Sequence, residues 1–271
     1  MPEGHTIHRL ARDYASRLTG AVAVSSPQGR FSDAAALLSG TELLRTDAHG
    51  KHLFLGFRDA EDTDWVHIHL GLFGKVSFGG APAPPPADTV RLRLAGPTAH
   101  ADLRGPTTCA LIRGPEKQAI HARLGPDPLR ADADPSAAYA RVSRSRTTVA
   151  ALLMDQKVVA GVGNVYRAEV LFRHGVDPYR PGRDIGPELW EAMWADLAAL
   201  MREGVRTNRI DTVRPEHTPE AMGRPPRVDD HGGEVYVYRR ADRPCHLCGD
   251  TVRTAGLAAR NLFWCPTCQS G

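Results

Sequence analysis

Apolar residues at three-and-four spacing open the chain. Ile7, Leu10, Ala11, Tyr14 and Leu18 fall on one helical face, which predicts a helix over residues 2–19 with Gly20 as its stop. Pro2 lies at or just before the first turn, where its missing N–H costs nothing. Between residues 21 and 112 the period changes to two. Val66, Ile68 and Leu70 alternate with His67 and His69, and Val90, Leu92 and Leu94 alternate with Arg91 and Arg93. The run Gly79–Pro86 reads as a loop, and many short strands so punctuated predict an antiparallel β-sandwich. After Pro115 the helical period returns over residues 117–203, best in Leu189, Met193, Trp194, Leu197, Leu200 and Met201. Residues 204–232, rich in Pro, Gly and charge, read as a loop or linker, and the alternating Glu234–Tyr238 as a short strand.

Composition adds bounds. In 271 residues, 42% are hydrophobic and 24% charged, enough for a core and too apolar for disorder. No run approaches the ~18 apolar residues of a membrane span, and no apolar leader opens the chain. A cytoplasmic protein without a membrane partner is expected. A net charge of +3 does not announce nucleic acid, and Arg141, Arg144 and Arg146 taken alone are a solvated face. Five cysteines in such a chain argue against a disulfide framework.

Four of those cysteines carry a sharper signal. Cys245 and Cys248, then Cys265 and Cys268, form C-x2-C-x16-C-x2-C. Two such turns bring four thiolates to one tetrahedral Zn2+ at ~2.3 Å each. Four thiolates leave no position open for water, so the metal is expected to be structural. Cys109, in an apolar run, reads as core, and His246 as a bystander. A hairpin between the knuckles would present Arg260 near its tip.

Gly161-Val162-Gly163-Asn164 precedes an apparent helix starting near Asn164. Glycines let backbone approach a phosphate, and a helix start offers N–H groups to an anion; Asn164 would cap the helix or donate its amide. An ordinary helix–helix connection has the same pattern. The turn lacks the Lys-Ser/Thr of a nucleotide-binding loop.

Taken in order, these landmarks resemble one family along essentially the whole chain, the formamidopyrimidine-DNA glycosylase/endonuclease VIII family. The resemblance is carried by Met1-Pro2-Glu3-Gly4, by Gly50-Lys51-His52 on a strand, and by His69-Leu70-Gly71-Leu72. It continues through Leu124-Gly125-Pro126-Asp127-Pro128-Leu129, Leu153-Met154-Asp155, Gly163-Asn164, and Arg260 ahead of Trp264-Cys265-Pro266-Thr267-Cys268-Gln269. It implies an α+β multidomain fold: an N-terminal antiparallel β-sandwich with its leading helix (1–116), a helix–two-turns–helix DNA-binding domain with linker (117–232), and a zinc finger (233–271). Leu72-Phe73-Gly74, the Gly4-His5-Thr6 start and Gly105-Pro106 after Arg104 look more like the endonuclease VIII side, which favours oxidised pyrimidines. Purine-lesion members usually carry an arginine and a phenylalanine after the equivalent of Arg104. His5 and Thr6 stand where many members have a glutamate.

The resemblance implies a DNA glycosylase and AP lyase acting as a monomer on damaged double-stranded DNA. Freed by removal of Met1, the Pro2 amine would condense with C1′ of the damaged nucleotide as an iminium. An α-amine of reference pKa about 7.7–8.0 is partly neutral at pH 7. The resemblance further implies that Glu3 protonates the sugar ring oxygen, Lys51 moves protons or grips the adjacent phosphate, and Arg260 holds the lesion's phosphate during δ-elimination. Asn164, His69, Arg104 and Arg146 become DNA-backbone candidates, and Leu72 and Phe73 wedges for the gap left by an extruded base. Taken singly, Pro2 is also an ordinary first-turn proline, Glu3 a helix-dipole carboxylate, Lys51 a solvated lysine, and Leu72-Phe73 a packed hairpin end. Two other functions fit the same chain: a purine-lesion glycosylase, and a damage-binding protein without catalysis, which would need none of Pro2, Glu3 and Lys51.

Overall fold

The computed structural model describes residues 2–57, 64–228 and 233–270. Cα packing divides the chain into two compact units, Met1–Arg123 and Leu124–Gly271.

The first unit begins with helix α1 (Gly4–Arg17), shorter at both ends than its apolar period. Glu3 is its N-cap residue, and Gly20 turns the chain at φ +77°. Strand β1 (Ala21–Ser25), helix α2 (Ser32–Leu38) and strands β2 (Thr41–His49), β3 (His52–Phe57), β4 (Asp64–His69), β5 (Lys75–Gly80), β6 (Val90–Ala95), β7 (Ala99–Arg104) and β8 (Thr108–Ile112) follow. The unit ends in helix α3 (Gly114–Ala122). The eight strands are antiparallel in the order β5-β7-β6-β1-β2-β3-β4-β8. The sandwich is thus one sheet bent at β1, which pairs with β2 through Ala21 and Val22 and with β6 through Ala23, Val24 and Ser25. Ile7, Leu10 and Tyr14 of α1 and its C-cap residue Leu18 share one core with Leu53, Leu55, Val66 and Ile68 on one side of the bend and Leu92, Leu94 and Leu103 on the other. A continuous apolar face that closes on itself explains why alternation is so clear in these strands.

Two local readings change. Gly79 and Gly80 belong to β5 rather than to the loop, paired with His100 and Ala99. A Cβ on Gly79 would lie 2.3 Å from the His100 ring, so a side chain there would displace the imidazole. Arg93 is not on a solvent face. It is buried, with Nε and Nη2 donating to Asp102 at 2.6 and 2.8 Å.

In the second unit, α4 (Pro135–Val142), α5 (Val149–Leu152), α6 (Asn164–Arg173) and α7 (Pro187–Thr207) enclose a core of Leu153, Val159, Tyr166, Trp190, Met193 and Leu197. A short α8 (Pro219–Met222) precedes the hairpin of β9 (Arg253–Leu257) and β10 (Arg260–Trp264). Leu262 of that hairpin completes the helical core. Val165 and Phe172 of α6 pack with Tyr236, Cys245 and Cys265.

Glu234–Tyr238 is not a strand, contrary to its alternation. The physical reason is Glu169. Its buried carboxylate accepts the main-chain N–H groups of Tyr236, Val237 and Tyr238 at 2.7, 2.9 and 2.8 Å, and the Thr212 hydroxyl at 2.5 Å. The segment wraps a carboxylate instead of pairing with a neighbouring strand, and four donors satisfy a charge that burial would otherwise penalise heavily.

Candidate active site

Pro2 and Glu3 stand at the head of α1. Pro2 is partly buried, and Glu3 is 0% exposed, its carbonyl accepting the Thr6 N–H at 3.0 Å. Its side chain makes no helix-capping bond, so ordinary N-capping does not account for a buried carboxylate at this point. The neighbouring His5 is also buried, and its Nε2 lies 3.2 Å from the Thr6 hydroxyl. Burial, with the charge of Arg9 and His8 adding to it, pushes the His5 imidazole down to about 4, so it is neutral at pH 7.

Lys51 lies at a turn rather than within a strand. His49 and His52 pair across the β2–β3 hairpin, leaving Gly50 and Lys51 as its two-residue loop, with Gly50 at φ +58°. Gly50 takes the left-handed conformation such turns require and sets Lys51 at the hairpin tip. His69 closes β4 opposite His52 and is half-buried; burial first, then the charge of Lys51, lowers its pKa. His52 itself is pushed down to about 3 by burial and by His67, whose Nε2 is 2.8 Å from its Nδ1. A neutral imidazole contacts a phosphate as a hydrogen-bond donor rather than as a cation.

Leu72 and Phe73 occupy the β4–β5 turn and are 51% and 88% exposed, so they are not a packed hairpin end. The turn is stiff. The Gly74 N–H donates to the Leu70 carbonyl at 3.0 Å, and a Cβ on Gly71 or Gly74 would meet Thr107 or Leu70 at 1.9 or 2.3 Å. The β7–β8 loop supports it: a Cβ on Gly105 would lie 3.3 Å from the Phe73 carbonyl oxygen. Arg104 is partly exposed, donating to Ser77 at 3.0 Å and sharing Asp102 with Arg93. Burial raises the Asp102 carboxyl, but the two guanidiniums outweigh it and hold it below the usual carboxylate range.

In the second unit, Gly163 is the N-cap of α6 and Asn164 its first residue. The side chain of Asn164 does not cap; its Nδ2 donates to the main-chain carbonyl of Asn261 on β10 at 2.9 Å, and Arg167 donates to the same oxygen at 3.1 Å. Gln156 clamps the glycine turn, accepting from the Gly161 N–H and donating to the Met154 and Val162 carbonyls, each at 3.0 Å. Arg146 is exposed between α4 and α5. Arg260 starts β10 immediately after a turn of two alanines, Ala258 and Ala259, at φ +52° and +55°.

The ligand atoms of Cys245, Cys248, Cys265 and Cys268 all lie within 4.8 Å of one another, with Cys245–Cys268 at 3.9 Å and Cys248–Cys265 at 3.4 Å. A tetrahedral zinc thiolate site has sulfurs about 3.8 Å apart, given Zn–S near ~2.3 Å. The four cysteines fit one structural Zn2+, and the metal would supply folding of the hairpin, not chemistry.

Three residues that shape these sites carry no local sequence signal: Gln156, Glu169 and Asn261. Gln156 follows the Met154-Asp155 landmark and Asn261 follows Arg260, while Glu169 adjoins none.

The bent antiparallel sheet, the helical unit and the four-cysteine hairpin together define a protein of three parts ending in a zinc hairpin. Residues 1–109 match the formamidopyrimidine-DNA glycosylase N-terminal domain, 124–214 its H2TH domain, and 243–271 the zinc finger found in FPG and IleRS. The chain is 52% identical over 275 residues to Endonuclease 8 1 of Mycobacterium tuberculosis, covering 100% of both. It is 35% identical to Probable endonuclease 8 2 of Streptomyces coelicolor, covering 100% of this chain and 95% of that protein. In fold it is similar to the Lactococcus lactis Fpg solved with abasic-site DNA, with TM-score 0.77 at 20% identity over 99% of this chain and 100% of that one. The chain belongs to the formamidopyrimidine-DNA glycosylase/endonuclease VIII family of base-excision-repair DNA glycosylases with AP lyase activity.

Proposed function

We propose that this enzyme excises oxidised bases, pyrimidines in preference to purines, from double-stranded DNA and nicks the strand through an iminium on Pro2. The observation that carries the reading is the fully buried Glu3 carboxylate next to Pro2 at the head of α1. The Pro2 nitrogen forms a bond to C1′ and gives up its proton as the bond to the base breaks and the protonated base leaves; Glu3 delivers a proton to the ring oxygen as its bond to C1′ breaks, which leaves the iminium. The resulting cation acidifies the C2′ proton. Its loss expels the 3′ phosphate, a second elimination expels the 5′ phosphate, and water then returns the free amine. Lys51 at its hairpin tip serves proton transfer or the adjacent phosphate, and Arg260 the phosphate of the lesion. His69, Arg104, Arg146 and the Asn164 turn line the backbone, while Leu72 and Phe73 fill the gap in the stack. The enzyme acts as a monomer in the cytoplasm, on the nucleoid; no helix among the described residues is long and apolar enough to cross a membrane.

The pyrimidine preference rests on Leu72-Phe73 and on Gly105-Pro106 after Arg104, and the 52% relative named an endonuclease 8 supports it. A pocket shaped for one ring leaves a purine's polar edge unpaired, which costs roughly 1–3 kcal/mol, about ten- to a hundredfold in rate. A panel of duplexes carrying thymine glycol, dihydrouracil, 8-oxoguanine opposite cytosine, or an abasic site tests it. Pyrimidine lesions are expected to be excised fastest, with abasic cleavage as the internal control. Faster excision of 8-oxoguanine would assign the enzyme to purine lesions.

A further inference from the structure

Outside the residues assigned above, the second unit holds a cavity of about 540 Å3 whose lining includes Arg224, Arg227, Arg239, Arg240, Arg243 and His246. Among the described residues, Glu234 is an acid beside it and is paired with Arg224 at 2.8 Å. Three of the arginines are fixed by main-chain carbonyls. Arg224 donates to His217, Arg227 to Gly233 and Tyr238, and Arg240 to Tyr236 and Pro244. A guanidinium carries five donors, so pinning of this kind orients it without exhausting it. The Arg224 Nε is buried and has no hydrogen-bond partner. Arg239 and Arg243 are exposed at the rim. Arg239 holds φ +54°, a left-handed conformation that favours glycine, while its guanidinium lies 5.6 Å from the Tyr238 ring centre. Arg239 thus places a bulky cation at a turn position where glycine would be less strained.

We propose that this pocket is a phosphate site that grips the DNA backbone away from the lesion nucleotide, through Arg239 and Arg243 at its rim and Arg224 within. The chemistry required is a phosphate anion: five guanidiniums beside a carboxylate that is already paired concentrate positive charge in a concave, partly desolvated space. The assignment rests on DNA being the substrate but not on the Pro2 chemistry, so it is read by binding alone.

The test is equilibrium binding of the full zinc-loaded chain to a lesion-free, fluorescein-labelled duplex across a salt series. The variants are Arg239→Gly, Arg243→Ala, and their combination. The double variant is expected to bind at least tenfold more weakly near physiological salt, and its slope of log affinity against log salt to fall by about two. The paired lysine replacements should restore the slope. Arg239→Gly relieves the left-handed backbone, so its melting temperature should hold or rise; should it fall, Arg243→Ala, a rim change, decides alone. Unchanged affinity and slope would overturn the site. A second arm titrates inorganic phosphate against chloride at matched ionic strength. Saturable thermal stabilisation by phosphate, lost in the double variant while duplex binding is unaffected, would overturn the DNA backbone as the source. Because no lesion is needed, a chain that bound duplex through this pocket yet trapped lesion DNA equally well with its N-terminus blocked would refute the Pro2 reading alone.

Discussion

The side-chain amide of Asn164 donates to the main-chain carbonyl of Asn261, 2.9 Å away, so the glycine turn at the head of α6 holds the zinc hairpin one residue from Arg260. Two features that read as separate in the sequence are one support. The hairpin's aim depends on this bond and on the parallel one from Arg167.

Asn164→Ala is therefore expected to loosen the hairpin rather than unfold the protein. A lost buried hydrogen bond costs about 1–2 kcal/mol here, because Arg167 still serves the Asn261 oxygen. Amide exchange in Arg253–Trp264 should accelerate and DNA affinity should fall several-fold. Exchange identical to the parent would show that the bond does not hold the hairpin.

Glu169 carries more of the fold than one bond. Glu169→Ala strips the acceptor from three N–H groups and a hydroxyl at once. A loss of at least about 3 kcal/mol is expected, with Glu169→Gln intermediate. Denaturant unfolding that shows less than about 1 kcal/mol for the alanine variant would contradict the reading of that network.

Much of this molecule is legible because its signals are local. The period of α1, the alternation of β4 and β6 and each C-x2-C pair lie within one helix, one strand or one turn. What escapes is long-range. Nothing near Tyr236 announces that its N–H faces a carboxylate sixty-seven residues earlier, and alternation there imitates a strand. The burial of Arg93 is not legible in its own strand because its partner Asp102 lies on another. Lys51 escapes for a different reason: its turn is announced only by Gly50, which serves equally well inside a strand.

Acid should destabilise the first unit. His5, His52 and His67 are lowered to about 4, 3 and 4, chiefly by burial, from an unfolded value of 6.5. Below pH 6.5 the unfolded chain takes up protons that the folded chain refuses, so stability is intact above 6.5 and declines as pH falls toward 4. His52→Gln should make that decline shallower. The same slope in both proteins would show that His52 titrates normally.

The zinc site predicts one metal per chain. Cys265→Ser should disorder the hairpin carrying Arg260 and abolish cleavage while the N-terminal sheet survives, as read by elemental analysis and by backbone resonances of residues 21–112. Active protein free of zinc would refute the assignment.

The central claim is covalent chemistry at Pro2, and borohydride added during incubation with lesion DNA tests it most directly. The account predicts a reduced, stable protein–DNA adduct on the N-terminal peptide, absent when Met1 is retained or Pro2 is acetylated. Undiminished trapping by protein with a blocked N-terminus would contradict it.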